Sequence, residues 1–275
     1  MKFGIVGLGL MGGSFGKVLK KYNLATKIVG YDHNTTHQQE ALKLNLVDEI
    51  VDIEQLKQCD VIILAIPVDA IIAFLPQLQG VKENTTIIDF GGTKELIVNN
   101  IPQSLKKNFV PGHPMTGTEK FGPHAAIDNL YEDHIMVLCD LDKCDPFHKE
   151  RTIKLFENIK MKLIFMDAKT HDIHACYMSH LPHAVSFCIA NVVMNHENPQ
   201  DIISLAAGGF KDISRVAKSS ADMWTDIFRQ NRTNLLESIE LYEEQLLTIK
   251  NLLQNEDYEQ IRQWMKKANQ LHKIL

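Results

Sequence analysis

Gly7-Leu8-Gly9-Leu10-Met11-Gly12 is a GxGxxG run, and its surroundings decide the fold. Before it stands the apolar stretch Phe3 to Val6, which reads as a strand. After it Ser14 to Lys21 carries helical spacing. In such a strand–turn–helix the first glycine permits the tight turn and the second lets the backbone approach a pyrophosphate. The third allows close helix–strand packing, and the helix N-terminus faces the phosphates. The next apolar run, Ile28 to Tyr31, ends at Asp32, twenty residues past Gly12. A carboxylate there accepts the hydroxyls of an adenosine ribose and repels a 2′-phosphate. His33-Asn34-Thr35-Thr36 offer no Arg or Lys to receive such a phosphate, so NAD is expected rather than NADP. Gly7, Gly9, Leu10, Met11, Gly12 and Asp32 are the expected cofactor contacts, with Pro67 and Gly91 at the ends of two later strands. A flavin shares this fingerprint, but no second flavin-contacting motif is present.

Outward from this point, short apolar runs alternate with amphipathic segments: Val61 to Ile66, Thr86 to Phe90, Ile135 to Cys139 and Leu163 to Met166. This pattern predicts a parallel-rich sheet covered on both faces. Past Asp167 the strand signal stops. A long helix is expected over Lys169 to His196 and another helical stretch over Asp222 to Gln254. The expected architecture is therefore an α/β Rossmann-type N-terminal domain (1–166) followed by an all-α C-terminal domain (167–275). In the late stretch Phe228, Leu235, Ile239, Tyr242, Leu246, Ile249 and Leu253 form a stripe at three/four spacing. Such a stripe suits either the chain's own core or a homodimer seam.

Composition narrows the field. The chain has 275 residues, and its net charge of -5 favours neither nucleic acid nor an acidic membrane, so an anionic ligand needs a local cationic cluster. Cys59, Cys139, Cys144, Cys176 and Cys188 include no CxxC pair and read as reduced, mostly buried thiols of a cytoplasmic protein. No leader and no eighteen-residue apolar stretch is seen, which predicts neither export nor a membrane span. The helical pattern runs nearly to Leu275, so no extra catalytic or regulatory module is expected.

Four further segments carry a resemblance. They are Gly112-His113-Pro114-Met115-Thr116-Gly117-Thr118-Glu119, then Ser179-His180-Leu181-Pro182-His183, then Gly208-Gly209-Phe210-Lys211-Asp212-Ile213-Ser214-Arg215, and finally Met223-Trp224 with Gln230-Asn231. Behind the glycine run, and over nearly the whole chain, this series resembles the prephenate and arogenate dehydrogenases. The resemblance implies oxidation of a ring carbinol by NAD with loss of a neighbouring carboxylate, giving a phenol in tyrosine biosynthesis. Histidine suits removal of the hydroxyl proton near neutrality, and the resemblance gives that role to His113, expected in a loop after Phe109-Val110. It makes Arg215 the arginine that holds the substrate, a planar fork matched to a carboxylate. By the same resemblance His183, His180, Lys211, Thr118, Glu119, Gly209 and Trp224 are expected around the substrate. His180 and His183 share one face of the long helix, with Pro182 between them marking a kink or irregular turn. His171, Asp172 and His174 supply no tight metal cluster with them, and the resemblance uses no metal.

In one place the chain departs from the pattern. The family serine two residues before a lysine is replaced here by Gly92, ahead of Thr93-Lys94. That hydroxyl, by the resemblance, helps hold the substrate hydroxyl and the histidine, so its loss removes one orienting contact unless Thr93 or water replaces it. Three rivals remain in view. Arogenate in place of prephenate keeps the chemistry. A β-hydroxyacid dehydrogenase would need a lysine on the long helix, yet none occurs between Lys169 and Lys211. A non-catalytic NAD-binding regulator would have no use for His113 and Arg215.

Overall fold

The structure, a computed structural model, describes residues 1–118 and 120–274. Eight strands form one sheet: β1 (Lys2–Val6), β2 (Lys27–Tyr31), β3 (Glu49–Ile50), β4 (Val61–Leu64), β5 (Thr86–Asp89), β6 (Phe109–Pro114), β7 (Ile135–Cys139) and β8 (Lys162–Met166), in the order β3-β2-β1-β4-β5-β6-β7-β8. Every neighbouring pair is parallel except β6 with β7. Both faces are buried, and the two-residue period of a strand distributes side chains between them. Phe3, Ile5, Val61 and Ile63 enter one apolar cluster, while Val6, Ile62 and Leu64 enter the other.

The order reverses between β1 and β4, which creates the crevice where ligands of open α/β sheets bind. Since β6 runs parallel to β5, its C-terminal residues Gly112 to Pro114 emerge on the same edge as Gly7, Pro67 and Gly91. The short β3 has no counterpart in the sequence reading, because two residues carry no period. β4 and β5 end at Leu64 and Asp89, short of the expected Ile66 and Phe90. His113 belongs to β6 and pairs with Val137, so it stands on a strand and not in the expected loop. Pro111 is the last β6 residue in register with β5 and Pro114 the last in register with β7, so both prolines stand where a ladder ends.

After β8 the described elements are helices. The expected long helix spans Ala168–Ala175 and Leu181–Met194, joined by a π-helical turn at Cys176–His180. Pro182 supplies no N–H to the preceding turn, and one extra residue in that turn absorbs the mismatch. The Asp222 to Gln254 stretch is two helices, Ala221–Gln230 and Arg232–Gln254, broken at Asn231. The apolar stripe divides accordingly: Leu235 is buried, whereas Leu246 and Leu253 are 49% and 55% exposed. Five free cysteines are present; four are buried, and Cys188 is exposed despite its apolar neighbours.

Candidate active site

The glycine turn has the shape of a dinucleotide cradle. Gly7 has φ +89°, and a Cβ on Gly12 would lie 1.9 Å from the Gly7 carbonyl oxygen. Only glycine fits either place. Above Gly9 the nearest atom to an added Cβ is Gly122 N at 3.8 Å, so the space over the turn is open. The helix Leu10–Lys21 starts there, with Leu10 and Met11 in its first turn. Asp32 is buried at the end of β2. Its Oδ2 accepts the Leu8 N–H at 2.8 Å and its Oδ1 accepts the Asn34 N–H at 2.9 Å, which fixes the carboxylate beside the turn. His33 and His37 flank it at 3.4 and 3.7 Å. Pro67 precedes the helix Val68–Phe74, and Gly91 donates its N–H to Asp89 Oδ2 at 2.9 Å. The residues present therefore fit NAD: an open phosphate approach, a helix N-terminus and a fixed acid at the ribose position.

Four histidines gather beside this edge. His113 Nδ1 lies 2.9 Å from His171 Nε2, and His171 Nδ1 lies 2.8 Å from Asp172 Oδ1. Asn231 Nδ2 donates to the Asp172 carbonyl at 2.7 Å and to His180 Nδ1 at 3.0 Å. His183 Nδ1 donates to the Ser179 carbonyl at 2.8 Å, and its ring stacks on Trp224 with centroids 3.5 Å apart. The break at Asn231 and the π-helical turn thus serve one purpose: each aims a polar side chain at this cluster. The Nε2 atoms of His113, His180 and His183 have no hydrogen-bond partner among the described residues. They are the free ends of the array.

Burial disfavours a charge on three of these rings, His113, His180 and His183. It pushes the His113 imidazole well below its ordinary pKa, and nearby His171, Lys94 and His180 push the same way. Burial also lowers His180 to about 4, and lowers His183, where the Arg215 charge adds to the effect. At neutral pH these rings are bases rather than cations.

The floor beneath His113 is a fully buried ion pair. Lys94 bonds Asp89, and its Nζ also donates to the Gly112 carbonyl at 2.7 Å, one residue before His113. Asp89 Oδ1 accepts the Gly112 N–H at 3.1 Å. Asp172 reaches over from the helical region and accepts the Lys94 and Glu95 N–H groups at 2.7 and 2.9 Å. Thr93 donates its hydroxyl to Gln230 at 3.0 Å and is buried, so it is committed elsewhere and does not replace the serine missing at Gly92.

Of the expected site residues, the fold brings together His113, His180, His183 and Trp224, and places Arg215 close enough to act on His183. Arg215, Lys211, Gly209 and Thr118 are exposed, and none hydrogen-bonds to the histidine cluster among the described residues. Thr118 accepts the Lys120 N–H at 3.2 Å. Glu119 lies outside the described residues. The sequence reading passed over His171 and Asp172, weighing them only as metal ligands, and gave Lys94 and Asn231 no role. The adjacent His-Asp pair was their one visible signal.

Comparison with known proteins bears directly on this site. The model described as prephenate dehydrogenase, nucleotide-binding domain, matches residues 15–165, and that described as prephenate dehydrogenase, dimerization domain, matches 167–267. The chain is 32% identical over 271 residues to the prephenate dehydrogenase of Bacillus subtilis (strain 168), spanning 96% of this chain and 73% of that protein. The structure of prephenate dehydrogenase from A. aeolicus in complex with hydroxyphenyl propionate and NAD+ superimposes with a TM-score of 0.92 at 34% identity, covering 98% of this chain and 96% of that one. Synechocystis arogenate dehydrogenase gives 0.81 at 25% identity, covering 98% of both chains.

Proposed function

The chain belongs to the prephenate dehydrogenase family, and from that premise we propose that it oxidises and decarboxylates prephenate with NAD, for tyrosine biosynthesis. The observation that carries this reading is His113 Nε2, a neutral base with a free face on the sheet edge that holds the glycine turn. Gly7, Gly9, Gly12 and Asp32 would hold NAD, which would supply the hydride acceptor for the ring carbinol. The residues of this chain do the rest. His113 Nε2 takes the hydroxyl proton as the carbinol becomes a carbonyl. The ring then loses carbon dioxide, its electrons close the aromatic system, and the oxygen recovers a proton to become the phenol. Arg215 provides the guanidinium for a carboxylate, with Lys211 as a second cation. His180, His183 and Trp224 wall the ring, and Gly209 and Thr118 border the entrance. Residues 1–166 hold the cofactor, and 167–275 complete the substrate side.

The test is NADH or NADPH formation with prephenate or arogenate and NAD or NADP in all four pairings. Turnover that is fastest with prephenate and NAD supports the reading. Preference for arogenate keeps the chemistry and moves the substrate. NAD binding without turnover in any pairing would favour the regulator.

Assembly follows from exposed apolar area. Leu241, Leu246, Leu247 and Leu253 are 49–56% exposed along one helix, apolar surface that a partner helix would cover. A homodimer through the helical region covers them, in the cytoplasm that suits free thiols. Light scattering should give twice the 31.2 kDa chain mass; a monomer would overturn this.

Restoring the missing hydroxyl is a further check. A Cβ at Gly92 meets nothing within 4 Å, and the backbone there needs no glycine. Gly92→Ser should raise kcat roughly fivefold, the worth of about one hydrogen bond of ~1 kcal/mol, with thermal stability unchanged. An unaltered or lower kcat would show that the hydroxyl does not reach the substrate.

A further inference from the structure

The base at His113 faces a problem that its own surroundings create. It must accept a proton in a place where burial and the charge of Lys94 both oppose a cation. The groups facing it are His171, His180, Lys94 and, one ring further, Asp172. Only Asp172 is anionic among these, and it touches His171 rather than His113. Asp89, the other buried acid, is spent on Lys94.

The hydrogen-bond chain fixes the tautomers. Asp172 accepts a backbone N–H on each oxygen, and as a carboxylate it offers His171 acceptor lone pairs only. His171 Nδ1 must therefore carry the proton that fills the 2.8 Å contact. In neutral His171 this leaves Nε2 bare, so the 2.9 Å contact is filled by the His113 Nδ1–H. His113 Nε2 is then the lone pair that faces the substrate.

We propose that His171 and Asp172 form a relay that holds the substrate's proton while the carboxylate leaves, then returns it. A bond forms between His113 Nε2 and the hydroxyl proton. The His113 Nδ1–H bond breaks, and that proton passes to His171 Nε2. His113 is neutral again in its other tautomer, and the positive charge rests on His171 against Asp172. Reversal of both transfers delivers one proton to the phenolic oxygen, so the relay ends as it began and no net proton is gained or lost. His171 is a positioning residue and proton store; it acts through His113 and does not touch substrate. Asp172 has a second duty, since it caps the start of the helix Glu95–Asn99, and this ties the relay to the loop that carries Gly92. The inference rests on the proposed dehydrogenase reading.

The experiment pairs kinetics with a measurement that needs no turnover. In ¹⁵N-histidine spectra of the ligand-free protein, His113 should show the Nδ1–H tautomer, and His171→Leu should abolish that preference. With prephenate and NAD, His171→Leu and His171→Gln should lower kcat roughly a hundredfold and tenfold. KM for prephenate and NAD affinity should stay within about threefold, because neither ligand touches His171. Glutamine retains an acceptor for the His113 N–H but takes no proton, so its loss isolates the transfer from the orientation. In His171→Ala, added imidazole should restore at least about a tenth of kcat. Wild-type kcat in the leucine variant, or the Nε2–H tautomer at His113, would overturn the relay. An inactive wild-type protein that still shows the Nδ1–H tautomer would overturn the dehydrogenase reading and leave the hydrogen-bond chain standing.

Discussion

His113→Ala should lower kcat with prephenate and NAD by about a thousandfold, inside the 10²–10⁴ span for a positioned general base. Binding of NAD should change little, since Gly7, Gly12 and Asp32 make that site without it. The wild-type pH profile should carry the same signature. The His113 pKa is held well below its ordinary value by burial, so the base is already free at neutral pH. Because the active form is the deprotonated one, kcat/KM should be flat through neutrality and fall only well below the unperturbed histidine value of about 6.5. This acid limb should vanish in His113→Ala, whose residual rate comes from positioning alone. A variant that keeps more than a tenth of kcat, or a limb that stays in place, would move the base elsewhere in the cluster, with His180 and His183 as the next candidates.

The extent to which this site was legible in the sequence follows from the range of each interaction. The glycine turn and Asp32 are local: their meaning lies in spacing along one strand, one turn and one helix, and the structure reproduces it. The histidines at 180 and 183 were visible as one helix face, and Pro182 announced the irregular turn that became Cys176–His180. What was not legible is long-range. The contact between His113 and His171 joins residues 58 apart, and that between Lys94 and Asp172 joins residues 78 apart. No periodicity encodes either. His113 is expected in a loop after Phe109-Val110, and tertiary pairing with β7 instead carries the strand on through it. Gly92 is visible in the sequence, yet the fate of the neighbouring Thr93 depends on Gln230, 137 residues away.

These long-range contacts also explain why the site sits where the two parts of the chain meet. Asp172 and Asn231 belong to the helical region after β8, His113 to the sheet, and Lys94 to the segment that follows β5. Each side supplies what the other lacks: the sheet a rigid edge with a base, the helices an acid and ordered polar side chains. A loosened junction would therefore disturb the base before it disturbed the cofactor turn, which is built from β1, its helix, β2 and the segment after β4.

The junction rests on Lys94, and Lys94→Met should destabilise the protein strongly. Both Lys94 and Asp89 are 0% exposed. Burial alone pushes the Asp89 carboxyl upward, and the ammonium of Lys94 offsets this along with two backbone N–H donors. Methionine matches the lysine stem in volume but leaves Asp89 without its counter-charge, and breaking one side of a buried pair costs about 3–5 kcal/mol. It also leaves the Gly112 carbonyl without its donor, next to His113. Urea unfolding should show a midpoint lowered by that free energy at an unchanged slope. Pairing the change with Asp89→Leu should recover part of the loss, since an apolar pair of similar size removes the stranded charge. Activity should not recover with it, because Asp89 also holds the Gly112 N–H and so the start of the His113 segment. Stability regained together with full kcat would mean that the pair is a packing device only. Stability regained without kcat would show that this buried pair sets the base in its place.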